Sequence, residues 1–227
     1  MSVNKDVYQQ ISTELNRKNV TLVAVSKTKP VSDIQELYDA GQRDFGENYV
    51  QELVEKEALL PKDIRWHFIG HLQRNKVKNI TPFVHLIHGV DSFNLLIEIN
   101  KQAEKNRRIV TCLLQVHIAQ EETKFGFNEE ELDDVFEIHS NLMNGLENVN
   151  VAGLMGMASF TDDLNTVRRE FQGLNELFQK YNKLGVAGTP LTTLSMGMSA
   201  DYKTAIVEGS TMVRIGSLLF GARDQQQ

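Results

Sequence analysis

Lys27 is the residue whose type and position point most directly to chemistry. It ends the apolar run "TLVAVSKTKP" at residues 21–30. An ammonium group at the end of a buried strand needs a partner or a task, because desolvating an unpaired charge is costly. Two interpretations are open: the lysine extends its charge to solvent, or it forms an imine with an aldehyde or ketone. Strand alternation points Lys29 the other way, toward the surface.

Small polar residues follow two other predicted strands. "LSMGMSADYKTAI" supplies Ser195, Gly197 and Ser199, and "VRIGS" supplies Gly216 and Ser217. Such residues leave backbone N–H groups and hydroxyls accessible to an anion, and the last two loops of a (β/α)8 barrel form its usual phosphate site. Glycine and serine also make ordinary turns. Two neighbouring loops with this composition favour a phosphorylated ligand.

Arg214 lies inside the apolar segment "MVRIG". A buried guanidinium without a partner would be costly. The residue therefore pairs with a structural carboxylate or donates to a ligand acceptor such as a ring nitrogen. Both interpretations stay open on the sequence.

Four histidines raise the question of a metal, and we predict none. His67 and His71 are four apart, but the intervening Gly70 and the strand-like "WHFIG" argue against a shared helical face, and no acidic residue completes an H-E-x-x-H motif. His85 and His88 lie three apart on a predicted strand, so we expect them to point to opposite sides. All four are expected to be satisfied polar residues near the barrel end.

Composition limits the class of protein. A content of 41% hydrophobic and 24% charged residues is typical of a globular chain, and the net charge of −6 argues against a broad nucleic-acid surface. No apolar run is long enough to span a membrane, and "MSVNKDVYQQISTELNRK" lacks the apolar core of a signal peptide. We therefore expect a cytoplasmic protein. The one cysteine, Cys112, is predicted to be a small buried hydrophobe.

Eight apolar, β-branched runs alternate with amphipathic segments. Strands that alternate with helices imply parallel pairing, because a parallel return needs a long crossover. We predict a single (β/α)8 barrel domain over residues 1–227, with an extra helix before Val20; an open doubly wound sheet is the alternative. The predicted strands are "TLVAVS", "RDFGEN", "RWHFIG", "FVHLIHGV", "IVTCLLQVHI", "VNVAGLMGMAS", "PLTTLSMG" and "TMVRIGSLLFG".

Helix starts and buried helix faces are also predicted. Spacing typical of a capping box occurs at three positions. Apolar i, i+3, i+4, i+7 spacing predicts one buried face on each of two helices. The capping pairs are Ser32/Gln35, Asn48/Gln51 and Asn128/Glu131, and the buried faces comprise Leu132, Val135, Phe136 and His139, and Phe171, Leu174, Phe178 and Tyr181.

Six motifs together resemble one known family. The chain is similar to the pyridoxal-phosphate homeostasis proteins, whose motifs run from the first strand to the last. The resemblance implies a barrel like the N-terminal domain of alanine racemase, carrying pyridoxal 5′-phosphate. The motifs are "AVSKTKP", "DFGENYVQE", "WHFIGHLQRNK", "GLMGMA", "LSMGMSADYKTAI" and "GSTMVRIGSLLFG".

The resemblance also implies roles for individual residues. Lys27 matches the lysine that forms the Schiff base with the cofactor, and Arg214 matches the arginine expected against the pyridine nitrogen. Asn48 and His67 lie in motifs near the ring. The chain departs from the family pattern at two positions, where serine and asparagine would be expected but Gly89 and His117 stand. The residues that match the phosphate-holding segments are Ser195, Ser199, Gly216 and Ser217.

By resemblance, the protein binds and buffers pyridoxal phosphate and delivers it to apo-enzymes, with effects on amino-acid and vitamin B6 balance. Turnover of a dedicated substrate is not expected. An arginine cannot supply the proton that makes the pyridine ring a full electron sink. Racemisation needs a second base, which alanine racemase takes from another domain, and a monomer without that domain is expected here. A weak amino-acid racemase, a Schiff-base aldolase and a partner-binding protein remain the alternatives.

Overall fold

The eight predicted strands form a closed parallel barrel in the computed structural model, which describes residues 3–119, 125–138, 145–184 and 190–221. Each strand pairs with the next along the chain, and the first pairs with the eighth. This closure confirms the (β/α)8 prediction and excludes the open sheet. The strands are β1 Thr21–Val25, β2 Asp44–Glu47, β3 Arg65–Phe68, β4 Leu86–Val90, β5 Val110–Val116, β6 Val149–Gly156, β7 Thr193–Met198 and β8 Met212–Ile215.

Helices connect the strands, and one further helix precedes β1, as predicted. That helix buries Tyr8, Ile11 and Leu15, and the Asn4 N–H donates to the Leu219 carbonyl at 2.8 Å. No described helix combines the length and apolarity needed to cross a membrane. The α-helices are α1 Lys5–Arg17, α2 Val31–Asp39, α3 Val50–Leu59, α4 Val77–Ile80, α5 Phe93–Lys105, α6 Glu129–Asp133, α7 Leu164–Leu184, α8 Tyr202–Val207 and α9 Ser217–Phe220, with a 3-10 turn at Arg74–Lys76 and a π-helical turn at Asp134–Ile138.

Two apolar clusters hold the barrel together. The larger one lies between strands and helices and includes the predicted α7 face and the buried Cys112, whose thiol pKa burial raises. The predicted residues of the α6 segment are also buried, except that His139 lies outside the described residues. The smaller cluster joins buried side chains of β1, β4, β5, β6 and β8. Its members are Val23, Leu86, Leu113, Ala152, Met155 and Met212.

Only one of the three predicted capping boxes forms. The Asn128 side chain accepts from the Glu131 N–H at 2.8 Å, and the Glu131 carboxylate accepts from the Asn128 N–H at 2.9 Å. The prediction for Ser32 is wrong because Pro30, with its fixed φ of −67°, is already the N-cap of α2. The prediction for Asn48 is wrong because α3 starts one residue later, with Tyr49 as its N-cap.

Candidate functional site

The carboxyl ends of four neighbouring strands, β7, β8, β1 and β2, carry most of the predicted site residues. Val25 pairs with Gly46, so Lys27 and Asn48 each lie two residues beyond the same pair. On the other side of β1, Gly216 approaches Val25 so closely that a Cβ would lie 3.2 Å from the Val25 carbonyl oxygen. The register therefore brings Lys27, Asn48 and Gly216 to one edge of the barrel mouth.

Asn48 contributes a buried acceptor at this edge. Its Oδ1 is inaccessible to solvent and has no hydrogen-bond partner among the described residues. Leaving a buried polar atom unpaired costs about 1–3 kcal/mol, so the oxygen is suited to a ligand donor. A Cβ at Gly70 would lie 2.3 Å from the Asn48 carbonyl oxygen, and one at Gly89 would lie 2.5 Å from the Gly70 carbonyl oxygen. The serine expected at Gly89 would therefore not fit this backbone.

The loops after β7 and β8 present small polar groups, as predicted. The Gly216 N–H donates to Ser199 Oγ at 3.2 Å, and Ser217 is exposed at the start of α9. Gly197 has φ of +95°, and a Cβ there would lie 2.6 Å from the Ala205 Cβ, so the turn requires glycine. These two loops supply an N–H group and two hydroxyls from adjacent strands, a donor set that suits an anion.

Arg214 is buried inside the barrel beneath these loops. Its Nη1 donates to Ser195 Oγ at 2.6 Å and to the Ser195 carbonyl at 2.9 Å, and its Nη2 donates to the Gly156 carbonyl at 2.9 Å. Burial lowers the pKa of Arg214 to about 10, which leaves the guanidinium charged at neutral pH. The Asp201 carboxylate opposes this shift, and among the described residues no ion pair joins Arg214 to a carboxylate. Ser195, predicted as a phosphate ligand, instead has its hydroxyl against Arg214.

His67 is buried in the barrel, and both of its ring nitrogens contact polar side chains of the protein. Its Nδ1 lies 2.9 Å from His88 Nε2, its Nε2 lies 3.0 Å from Asp44 Oδ1, and His88 Nδ1 lies 3.1 Å from Ser195 Oγ. Two residues, His88 and Ser195, therefore separate His67 from Arg214. The expectation that His67 and His88 are satisfied polar residues is confirmed.

A group of three potential metal ligands is present at the opposite end of the strands. Ligand atoms of Asp44, His67 and His85 lie within 4.8 Å of one another. However, Arg65 donates to both oxygens of the Asp44 carboxylate, from Nε at 2.7 Å and from Nη2 at 2.5 Å. A metal ion would have to displace this guanidinium, so the arrangement argues for an ion pair and not for a metal centre.

The expectation that His85 and His88 point to opposite sides is wrong. Both side chains approach the same ring: the centroid of His85 lies 5.4 Å and that of His88 lies 5.2 Å from the centroid of His67. His85 precedes the first residue of β4, so the strand pleat does not fix its direction. His71 is separate from this group, because its Nδ1 lies 2.9 Å from Asp91 Oδ2.

Lys27 itself is half-buried, and the residues on either side of it are held by a buried polar cluster. Ser26 Oγ donates to Glu47 Oε1 at 2.6 Å, and the Thr28 N–H donates to Glu52 Oε1 at 2.6 Å. Thr28 has φ of +64°, a conformation that costs a non-glycine residue about 1–2 kcal/mol. The bond to Glu52 offsets this strain and fixes the turn that carries Lys27.

Lys56 joins the two carboxylates of this cluster. Its Nζ donates to Glu47 Oε1 at 2.8 Å, to Glu52 Oε1 at 2.6 Å and to the Ser26 carbonyl at 2.8 Å. Burial raises the pKa of Glu47 to about 7, although Lys56 opposes the shift. We call Ser26, Glu47, Glu52 and Lys56 the anchor cluster.

Comparison with known proteins agrees with this geometry. The family model described as "Alanine racemase, N-terminal domain" matches residues 5–224. The pyridoxal phosphate homeostasis protein of Aquifex aeolicus is 44% identical over 203 residues, which are 89% of this chain and 86% of the relative. That of Escherichia coli is 37% identical over 211 residues, 91% and 87% of the two chains. The chain belongs to the pyridoxal phosphate homeostasis protein family.

Solved structures extend the comparison of this family member. PipY of Synechococcus elongatus with pyridoxal phosphate bound superposes with a TM-score of 0.83 at 32% identity, covering 95% of this chain and all of that one. An alanine racemase of Streptomyces lavendulae superposes with a TM-score of 0.76 at 16% identity, covering 98% of this chain but 58% of that one. The second likeness shows the fold alone.

Sequence reasoning missed several residues that support the site in this family member. The i, i+4 spacing of Glu52 and Lys56 predicts a pair on one helix face, and Glu47 stands in the same motif as Asn48. Those signals could have indicated the anchor cluster. No short-range signal connects His88 with Ser195, because their contact joins β4 to β7 across the closed barrel.

Proposed function

We propose that this protein binds pyridoxal 5′-phosphate at the barrel mouth and acts in intracellular vitamin B6 and amino-acid homeostasis. The observation that carries the proposal is the convergence of a fixed lysine, Lys27, with a buried arginine and an anion-suited pair of loops on four neighbouring strands. The names of the relatives and the pyridoxal phosphate bound to PipY support the same ligand.

The side chains of the site fit the groups of this cofactor. When bound, pyridoxal phosphate supplies an aldehyde that bonds to an amine and a pyridine ring that withdraws electrons. In the proposal, Lys27 provides the amine, Asn48 lies beside the ring, and Ser199 and Ser217 donate to the phosphate. The Gly216 N–H would exchange its bond to Ser199 Oγ for one to the phosphate. Arg214 donates to the ring nitrogen.

Arg214 also explains why binding, and not turnover, is proposed. A guanidinium only donates hydrogen bonds and keeps its proton, so it does not place a proton on the ring nitrogen. A ring without that proton withdraws electrons less strongly. The site is therefore suited to holding the cofactor.

The test uses the visible absorption spectrum of the purified protein after reconstitution with pyridoxal phosphate. Borohydride reduction followed by peptide mapping should fix the cofactor to Lys27. Lys27→Ala should abolish this label, whereas Lys29→Ala, two residues away, should retain it. A colourless protein, a label at another lysine, or exchange of the α-proton of an added amino acid in D2O would contradict the proposal.

Four finer statements belong to the same proposal. We propose that residues 1–227 act as one domain, that the protein is a monomer in the cytoplasm, and that it passes its cofactor to apo-enzymes. Light scattering coupled to size exclusion tests the monomer, and cell fractionation tests the location. Delivery requires that an apo-enzyme gain activity faster than the cofactor dissociates freely; equal rates would contradict it.

A further inference from the structure

A continuous row of hydrogen-bonded side chains crosses the interior of the barrel. We call it the barrel row: Arg214, Ser195, His88, His67 and Asp44. The four successive contacts measure 2.6, 3.1, 2.9 and 3.0 Å. All five residues are buried. The interior of such a barrel is usually filled by branched apolar side chains, so this polar row needs an explanation.

The two ends of the barrel row fix which way the protons point. Arg214 only donates, so Ser195 Oγ is the acceptor of their contact. At the other end, burial raises the pKa of Asp44, but hydrogen bonds from His67 and Arg65 outweigh it and hold that pKa at about 2. Asp44 is therefore a carboxylate, and His67 Nε2 must carry the proton between them.

The middle of the row follows from these ends. Ser195 Oγ accepts from Arg214, so its own proton is available to His88 Nδ1. His88 then carries its proton on Nε2 and donates it to His67 Nδ1, and His67 donates from Nε2 to Asp44. In this order each contact holds one proton, every donor points toward Asp44, and neither imidazole needs a second proton. Burial also lowers the pKa of His88, which favours the neutral ring.

The row leaves part of Arg214 for a ligand. The guanidinium has five N–H donors, of which three contact Ser195 and Gly156. The remaining two, one on Nε and one on Nη2, have no acceptor among the residues that the structure describes. A ring nitrogen can accept from a guanidinium held in this way, and the geometry of that bond depends on what fixes Nη1.

We propose that His67 and His88, as neutral Nε2–H tautomers, are positioning residues that orient Arg214 through Ser195 toward the ring nitrogen of the bound cofactor. The row links the buried cation to the carboxylate of Asp44 across the barrel, and its dipoles all point the same way. The tautomers follow from the protein alone, whereas the effect on the cofactor rests on the function proposed above.

The tautomers can be tested without cofactor by long-range 15N–1H NMR of the full chain with 15N-labelled histidine. His67 and His88 should both show a protonated Nε2 and an unprotonated Nδ1 at neutral pH. His85→Gln and His71→Gln assist the assignment, because neither residue is in the row. A protonated Nδ1 on either row histidine, or a charged imidazole at pH 7, would overturn the proposal.

The positioning role needs a second measurement, with cofactor. Ser195→Ala should weaken pyridoxal phosphate binding by at least about tenfold, or about 1.4 kcal/mol, and shift the absorption maximum of the bound chromophore. Ser195→Thr keeps the hydroxyl and should restore much of both. Ser210→Ala is the matched control: that serine is buried and donates only to backbone carbonyls, so binding should change less than about twofold.

The outcomes separate the two proposals. If the wild-type protein fails to bind pyridoxal phosphate, the proposed function fails, and the NMR result still decides the proton order. If the wild type binds and Ser195→Ala binds equally well with an unchanged spectrum, the positioning role is wrong while the function stands. If Ser195→Ala does not fold, the Ser195→Thr spectrum and the wild-type tautomers decide.

Discussion

The two buried polar groups of this barrel differ in how completely their hydrogen bonds are satisfied. In the barrel row each contact holds one proton, and Asp44 accepts from both His67 and Arg65. In the anchor cluster, two carboxylates share one ammonium group, and Glu47 Oε2 is buried without a hydrogen-bond partner among the described residues. A satisfied network is rigid, whereas an incompletely satisfied one responds to a change of charge.

This difference predicts which of the two groups changes its protonation near neutral pH. The barrel row ends on a strong acid and a strong base, so neither end changes protonation near neutral pH. The anchor cluster has two carboxylates, Glu47 and Glu52, but only one ammonium group, that of Lys56. Burial raises the pKa of Glu47 to about 7. The part of the site that carries Lys27 is therefore expected to depend on pH, whereas the charges of Asp44 and Arg214 are expected to stay unchanged near neutral pH.

The largest effect is expected from removing the one cation of the anchor cluster. Lys56→Met should destabilise the protein by about 3–5 kcal/mol, because it leaves the buried Glu47 carboxylate without its ion pair. Urea denaturation measures the loss. The double variant Glu47→Gln/Lys56→Met is the control and should recover part of the stability. Equal stability of Lys56→Met and the wild type would remove the distinction between the two groups.

The next effect is the pH dependence of stability. The folded pKa of Glu47, about 7, lies above the ordinary value of 4.5, so the folded state binds more protons between these pH values. The stabilising contribution is fully present below pH 4.5 and is lost as pH rises to about 7, by at most about 3 kcal/mol.

Glu47→Gln sharpens this test because the amide does not titrate. Urea denaturation at several pH values should show a weaker fall of the free energy of unfolding between pH 4.5 and 7 in this variant than in the wild type. Asp44 behaves in the opposite sense, because its pKa is lowered: its contribution is lost only as pH falls from 3.8 to about 2. Identical slopes in both proteins would contradict the assignment to Glu47.

The fold and the mouth of the site were predictable because their signals are local. Apolar runs, alternation with helices, and small residues after "LSMGMS" and "VRIGS" all lie within short windows of the sequence. The lysine at the end of β1 was visible for the same reason. Even so, Pro30 shifted the start of α2, which a spacing rule for Ser32 does not detect.

The interior of the site was not predictable in this way. Ser195 and His88 are 107 residues apart, and they meet only because β7 and β4 face each other across a closed barrel. The contact between Arg214 and Ser195 is also not visible in the sequence, because it depends on the register of the adjacent strands β7 and β8. A sequence pattern gives the residue types, but the register decides which polar side chains become partners.

A smaller effect is expected where the anchor cluster meets the Lys27 turn. Glu52→Ala removes the acceptor of the Thr28 N–H and one partner of Lys56, and should cost about 1–3 kcal/mol. Hydrogen exchange at the Thr28 amide should become faster. Glu55→Ala, an exposed position on the same helix, is the matched control and should change neither quantity. Unchanged exchange in Glu52→Ala would show that the turn is held by other contacts.

The smallest effect is expected beyond the end of the barrel row, at His85. Its ring approaches His67 but is exposed, so His85→Asn should change stability by less than about 0.5 kcal/mol. Added zinc tests whether Asp44, His67 and His85 bind a metal ion. If they did, a free zinc concentration of a hundred times the Kd would stabilise the protein by about 2.7 kcal/mol and raise the melting temperature by several degrees. We expect no such rise, because Arg65 already occupies both oxygens of Asp44. A rise that His85→Asn abolishes would show instead that the row ends in a metal site.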